Sequence, residues 1–167
     1  GDRLSLWNLE DQSLMWQLDD LPAIVTAIAS NSDAAIIALG LSNGHVILVD
    51  SVQGDIITSY TVHDGDTAIS VMQFAPDDSI LAIVEDGSDE TLLVDPVDGA
   101  ELLELTGHDG TILGLQFFAD STTLITSSND ASVLVWDTET GEIMDEYLHE
   151  IVVFNVALSP DETRFLS

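Results

Sequence analysis

Apolar and polar residues alternate with a period of two along most of this 167-residue chain. The clearest stretch runs from Thr111 to Trp136, where TILGLQFF, TTLIT and SVLVW are separated by Ala119-Asp120-Ser121 and by Ser128-Asn129-Asp130. Strict alternation bounded by turn residues is the pattern of antiparallel strands with one face toward a core. The same reading places strands at 3–7 and 13–18, then at 23–29, 34–39, 45–49 and 55–60. It continues at 68–75, 79–84, 91–94 and 101–105, then at 111–118, 122–127, 132–136 and 142–147, and ends at 151–158 and 163–167. No helical period stands out, and the short apolar runs between turn signals fit strands better than buried helix turns. An all-β chain is predicted.

The strands repeat in groups. Trp7-Asn8, Val49-Asp50, Val94-Asp95 and Trp136-Asp137 close corresponding strands, their second residues 42, 45 and 42 positions apart. Three of these continue to a glycine four residues on (Asp50 to Gly54, Asp95 to Gly99, Asp137 to Gly141), as a turn needing positive φ demands. His63, His108 and His149 recur 45 and 41 residues apart. The stretch Gly107–Gly141 opens on Gly-His and closes around Trp-Asp, and it resembles one repeat of the WD-repeat β-propeller family. That resemblance implies a β-propeller of four-stranded antiparallel blades. Three full blades would occupy 21–62, 63–106 and 107–148, with complementary half-blades at 1–20 and 149–167.

The resemblance also implies that His108, Thr126, Asp130 and Trp136 form a hydrogen-bonded chain that locks the strands of one blade. Physical chemistry supports the assignment. A buried indole N–H needs an acceptor, a hydroxyl accepts and donates onward, and an imidazole passes the chain to a carboxylate. Histidine, hydroxyl and aspartate also invite a catalytic reading, but the strand-locking context fits them better. Outside this repeat the pattern erodes. Val49 and Val94 cannot donate, Asp19-Asp20 stand where Gly-His belongs, and the turn Glu85–Glu90 is about one residue longer.

Composition changes the picture in one respect. Apolar content of 46% argues against a disordered acidic tail, yet 31 acidic residues face two basic ones, for a formal charge of −29. Nucleic acid is excluded as a partner because phosphate binding needs clustered Lys and Arg, and an anionic membrane is disfavoured for the same reason. Without cysteine there is no disulfide or thiolate metal site, and the redox compartment is undetermined. No apolar run has the length to span a bilayer, no leader is evident, and Gly1 at the start suggests an excised or processed chain. The acidity fits a high-salt habitat, a cation or basic partner, or a solvated surface without specific role.

Other local signals are accounted for more simply. Gly40-Leu-Ser-Asn-Gly44 matches the nucleophile-elbow pattern, but that device needs a helix after Ser42, and here a strand follows. The hairpin reading prevails. The acidic turn offers Glu85, Asp86, Asp89 and Glu90 to Ca²⁺, though without the glycine and terminal glutamate of an EF-hand. The expectation is a non-catalytic scaffold without cofactor or resident metal; a propeller hydrolase and a divalent-cation-binding propeller are the alternatives. The loop residues Asp64, Asp66, Asp109, Thr111 and Glu150 stand where a protein or peptide partner would meet the blades.

The phase of the repeats leaves two strands at each end. Each half-blade would expose an unpaired sheet edge, and 163–167 joined to 3–7 reads as a fair junction between the second and third strands of a blade. A four-bladed ring within one chain, an eight-bladed ring from two chains, or excision from a longer propeller would each satisfy the edges. Pairing between two chains is expected over a ring of four, because smaller steps between stacked sheets are nearer the aligned packing that twisted sheets prefer.

Overall fold

The computed structural model describes residues 2–63 and 65–167, and Asp64 lies outside them. Among the described residues the chain is all β, without a helix. The first sheet is a two-stranded piece, β1 (Asp2–Trp7) and β2 (Leu14–Leu21). Three four-stranded antiparallel sheets follow, each laid out in chain order. The first blade holds β3 (Val25–Ser30), β4 (Ile36–Leu41), β5 (His45–Asp50) and β6 (Ile56–Thr61). The second holds β7 (Ile69–Phe74), β8 (Leu81–Glu85), β9 (Glu90–Val94) and β10 (Glu101–Thr106). The third holds β11 (Ile112–Phe117), β12 (Thr123–Ser128), β13 (Ser132–Asp137) and β14 (Ile143–Leu148). A last pair, β15 (Ala157–Leu158) and β16 (Phe165–Leu166), ends the chain.

Each junction between consecutive sheets has its own apolar cluster, as stacked blades require. Leu39, Leu41, Ile47 and Val49 of the first blade pack against Leu4, Leu6, Trp16 and Leu18 of the opening pair. Val46 and Leu48 meet Met72, Phe74 and Leu92 across the next junction. Ala82, Val84 and Leu93 meet Leu115, Leu134 and Trp136 across the third. Ile125, Val133 and Val135 then meet Val153 and Val156 of the last segment. The period-two pattern explains this: each central strand sends alternate side chains to the sheet before it and the sheet after it, so both faces are buried. The sheets are not closed into a ring.

The turns are as regular as the strands. Between the first and second strands of each repeat, Asp33, Asp77, Asp120 and Asp161 accept from the backbone N–H two residues on, at 2.9, 3.0, 3.0 and 3.3 Å. The residue after each aspartate adopts left-handed φ, from 54° at Glu162 to 65° at Ser121. Gly54 in the later turn is doubly constrained. Its φ is 77°, and an added Cβ would fall 2.8 Å from the Trp16 ring.

Two sequence expectations change. The strand expected at 34–39 begins only at Ile36, because Asn31–Ala35 are spent on the turn, where Asn31 Oδ1 accepts from Ile36 N. The strands expected at 151–158 and 163–167 shrink to two residues each. Their alternation is intact, but the ladder between them is confined to the pairs Ala157–Leu166 and Leu158–Phe165.

Candidate functional site: a buried relay beneath an acidic loop face

His108 lies between β10 and β11, Thr126 on β12, Asp130 in the β12–β13 turn and Trp136 on β13. Antiparallel register sets Thr126 beside Leu134 and Leu124 beside Trp136, so the hydroxyl and the indole share one corner of the blade. Gly107 admits the ring, since a Cβ there would stand 3.0 Å from Trp136 Cη2. Trp136 Nε1 donates to Thr126 Oγ1 at 2.8 Å. His108 Nε2 lies 2.7 Å from the same hydroxyl, and His108 Nδ1 lies 2.9 Å from Asp130 Oδ2. An ionised carboxylate only accepts, so Nδ1 carries the proton, Nε2 accepts from Thr126, and Thr126 accepts from Trp136. The donors all point one way along the chain.

Asp130 is the anchor. Beside His108 it accepts from Asp109 N at 2.9 Å, Ser132 N at 2.7 Å and Ser132 Oγ at 2.6 Å. Burial pushes its carboxyl up, but these hydrogen bonds together outweigh burial and hold it down at about 2. Burial holds His108 below the ordinary histidine value, with Asp130 pulling the other way. Neutral imidazole beside ionised carboxylate is the state the tautomer argument requires. Ser132 was not singled out from sequence; its place two residues after Asp130 is the turn spacing that could have found it.

The second blade is wired differently. His63 Nδ1 meets Glu85 Oε2 at 2.7 Å, and Ile83 and Val94 stand where the third blade has Thr126 and Trp136. Hydrogen bonding to Glu85 raises His63 above its ordinary value, against burial. A hydrogen bond with Glu104 raises Glu90 in the same corner. Of the residues considered for Ca²⁺, Glu85 is engaged with His63, Asp86 and Asp89 are exposed, and Glu90 heads β9. No group of three or more His, Asp or Glu among the described residues is placed to hold a metal ion. Ser42 sits in the β4–β5 hairpin turn with β5 directly after it, which is not the strand-to-helix elbow its motif would need.

The loops joining one blade to the next share a face with the second-to-third-strand turns. Asp66, Asp109 and Glu150 are exposed there, and Thr111 is half-buried with its hydroxyl 3.3 Å from Gly87 O. Asp64, the remaining loop candidate, lies outside the described residues. No helix among the described residues is long and apolar enough to cross a membrane.

Comparison with known proteins agrees with this geometry. Residues 99–137 match the family model described as "WD domain, G-beta repeat", and residues 3–77 match "Anaphase-promoting complex subunit 4 WD40 domain". The chain is 32% identical over 143 residues to "Echinoderm microtubule-associated protein-like 2" of Rattus norvegicus, covering 81% of this chain and 21% of that protein. It is 28% identical to "Echinoderm microtubule-associated protein-like 3" of Homo sapiens, covering 83% of this chain and 16% of that protein. It is 25% identical to the "77 kDa echinoderm microtubule-associated protein" of Strongylocentrotus purpuratus, covering 81% of this chain and 20% of that protein. The chain thus spans about a fifth of the length of these relatives. With four-stranded blades, the repeat spacing and two matching models, the chain belongs to the WD-repeat family.

Proposed function

We propose that this chain is a non-catalytic interaction module that presents its blade-joining loops to a protein partner. One observation carries the reading. The only His–hydroxyl–Asp constellation of the kind catalysis uses, among the described residues, is closed on itself: the His108 side chain is 0% exposed and both ring nitrogens are engaged. A general base must reach a substrate proton, and this one reaches only its own strands. The exposed loop residues Asp66, Asp109 and Glu150, with the half-buried Thr111, supply the contact surface, and the net charge of −29 selects a basic partner surface.

Because the relatives are named microtubule-associated, microtubules are the first partner to try. In a co-sedimentation assay the chain is expected to pellet with microtubules. An Asp66→Asn, Asp109→Asn, Glu150→Gln variant should pellet several-fold less. Equal pelleting with and without microtubules at every salt concentration rejects them as the partner. We also propose that the two half-blades join between chains, β16 of one against β1 of another, giving a homodimer that completes the ring.

A further inference from the structure

We propose that β6, the outer strand of the first blade, takes an extended segment of a basic protein partner as an added strand. This surface is separate from the loop face. β6 belongs to an inner blade with a sheet on either side: Gly54 of its own blade stands against Trp16 of β2, and Gly99 of the second blade stands against Tyr60 of β6.

The outermost strand of a sheet offers its backbone N–H and C=O groups to any passing strand, and charged side chains are a common guard against this. The other outer strands carry that guard. β2 has Asp19 and Asp20, β10 has Glu101 and Glu104, and β14 has Asp145 and Glu146. β6 reads Ile-Ile-Thr-Ser-Tyr-Thr, without one charge, in a chain that holds 31 acidic residues. β-Branched and aromatic residues of this kind are the ones that favour strands.

Register fixes which groups face outward. Val62 N donates to Gly44 O, and antiparallel pairing alternates, so Tyr60 and Thr58 also bond toward β5. The N–H and C=O of Ser59 and Thr61 therefore point away from the sheet, and both residues are exposed. Ser59 pairs with Ile47; the residues paired at the same position of the other sheets are Gln17, Glu104 and Glu146. In two of those sheets a glutamate thus flanks the outward backbone, where β6 has a small hydroxyl. A register shift leaves Ile57 in a bulge at the head of β6, so the regular edge runs over 58–61. Ile56 and Ile57, 54% and 53% exposed, lie where one end of an added segment would rest.

Charge selects the occupant. A strand laid on β6 passes Asp55 and runs between the acidic outer strands β2 and β10. Lys or Arg beside its β-branched residues would meet those carboxylates, whereas a second copy of this chain would bring more of the same charge. Backbone hydrogen bonds along the edge then hold the segment, as in other cases of strand addition.

Fluorescence anisotropy with the labelled peptide Lys-Thr-Val-Thr-Val-Thr-Lys tests this on the whole chain. The peptide should bind and should slow hydrogen exchange at the Ser59 and Thr61 amides. Ser59→Glu places on β6 what β10 and β14 already carry, so the variant should stay folded and bind about tenfold more weakly. Ser59→Pro deletes an outward donor while sparing the β5–β6 ladder, and it should weaken binding likewise. The peptide N-methylated at its interior residues has lost those donors and should not bind, and glutamate in place of its lysines should weaken binding several-fold. No binding at about 1 mM peptide, equal binding of the N-methylated peptide, or parent-like binding by both Ser59 variants overturns the proposal. So does a mass in light scattering that falls from dimer to monomer on Ser59→Glu, which would give this edge to a second copy.

Discussion

Replacing Trp136 by Phe keeps most of the ring's apolar bulk and deletes its donor, leaving the buried Thr126 hydroxyl without the N–H it accepts. An unmet buried polar partner costs about 1–3 kcal/mol, and urea unfolding of Trp136→Phe should show a loss of that size. An unchanged midpoint would mean that the four relay residues are neighbours without being linked. The two histidines at equivalent positions should titrate in opposite directions. His108, held down by burial, should gain its proton below the ordinary value of about 6.5, and His63, held up by Glu85, above it. The linkage signs differ accordingly. His108 contributes stability above its unfolded value that is lost as pH falls toward its folded one; the contribution of His63 is present below its unfolded value and lost as pH rises through its folded one. Imidazole proton shifts in an NMR titration would read the order, and coincident midpoints would contradict it. The four relay residues were legible in sequence through the resemblance to the WD-repeat family and not through spacing alone. The His63–Glu85 pair was not, since nothing along the chain announces which carboxylate a histidine will find 22 residues away.

At the scale of the element, the turns do more than reverse the chain. The left-handed residue of each turn after the first reaches back to the turn of the blade before it. Asp78 accepts from Ser32 N at 2.7 Å and from Asn31 Nδ2 at 3.0 Å, Ser121 Oγ accepts from Asp77 N at 3.0 Å, and Glu162 Oε1 accepts from Ala119 N at 2.7 Å. Ser121 reaches one residue further along than the others because Pro76 offers no N–H. Along the first strands Gln73 and Gln116 reach the other way, to the sheet after them, accepting from Phe117 N and Leu158 N at 2.9 Å. Asp78→Ala should therefore lower stability by about 1–3 kcal/mol. Asp78→Asn, which keeps an acceptor and tolerates left-handed φ, should lower it less. Equal stability of both variants and the parent would remove these bonds from the account of how blades are held. Alternation revealed the strands because it is local. The clasps join residues more than 40 positions apart and become visible only once sheets are stacked, while the shortened β15 and β16 show that alternation alone does not set the length of a ladder.

For the whole molecule, charge is the term most open to experiment. Arg3 and Asp19 form an ion pair at 2.8 Å between side chains that are both more than half exposed, and such pairs contribute little. Against it stand 31 acidic residues with two basic ones, so repulsion outweighs pairing. The melting temperature should rise between low salt and about 1 M NaCl as screening shortens the range of that repulsion. A fall would show that pairing matters more than the count suggests.

The four apolar clusters, one to each junction of sheets, have a consequence for how the molecule comes apart. With no shared centre, the structure behaves like beads on a string whose nearest-neighbour links differ in strength. The inner two junctions are the most extensive, and the outermost involves strands only two residues long. Loss of order should then start at the last pair and travel inward, with the second and third blades surrendering last. A protease would find the end of the chain well before its middle.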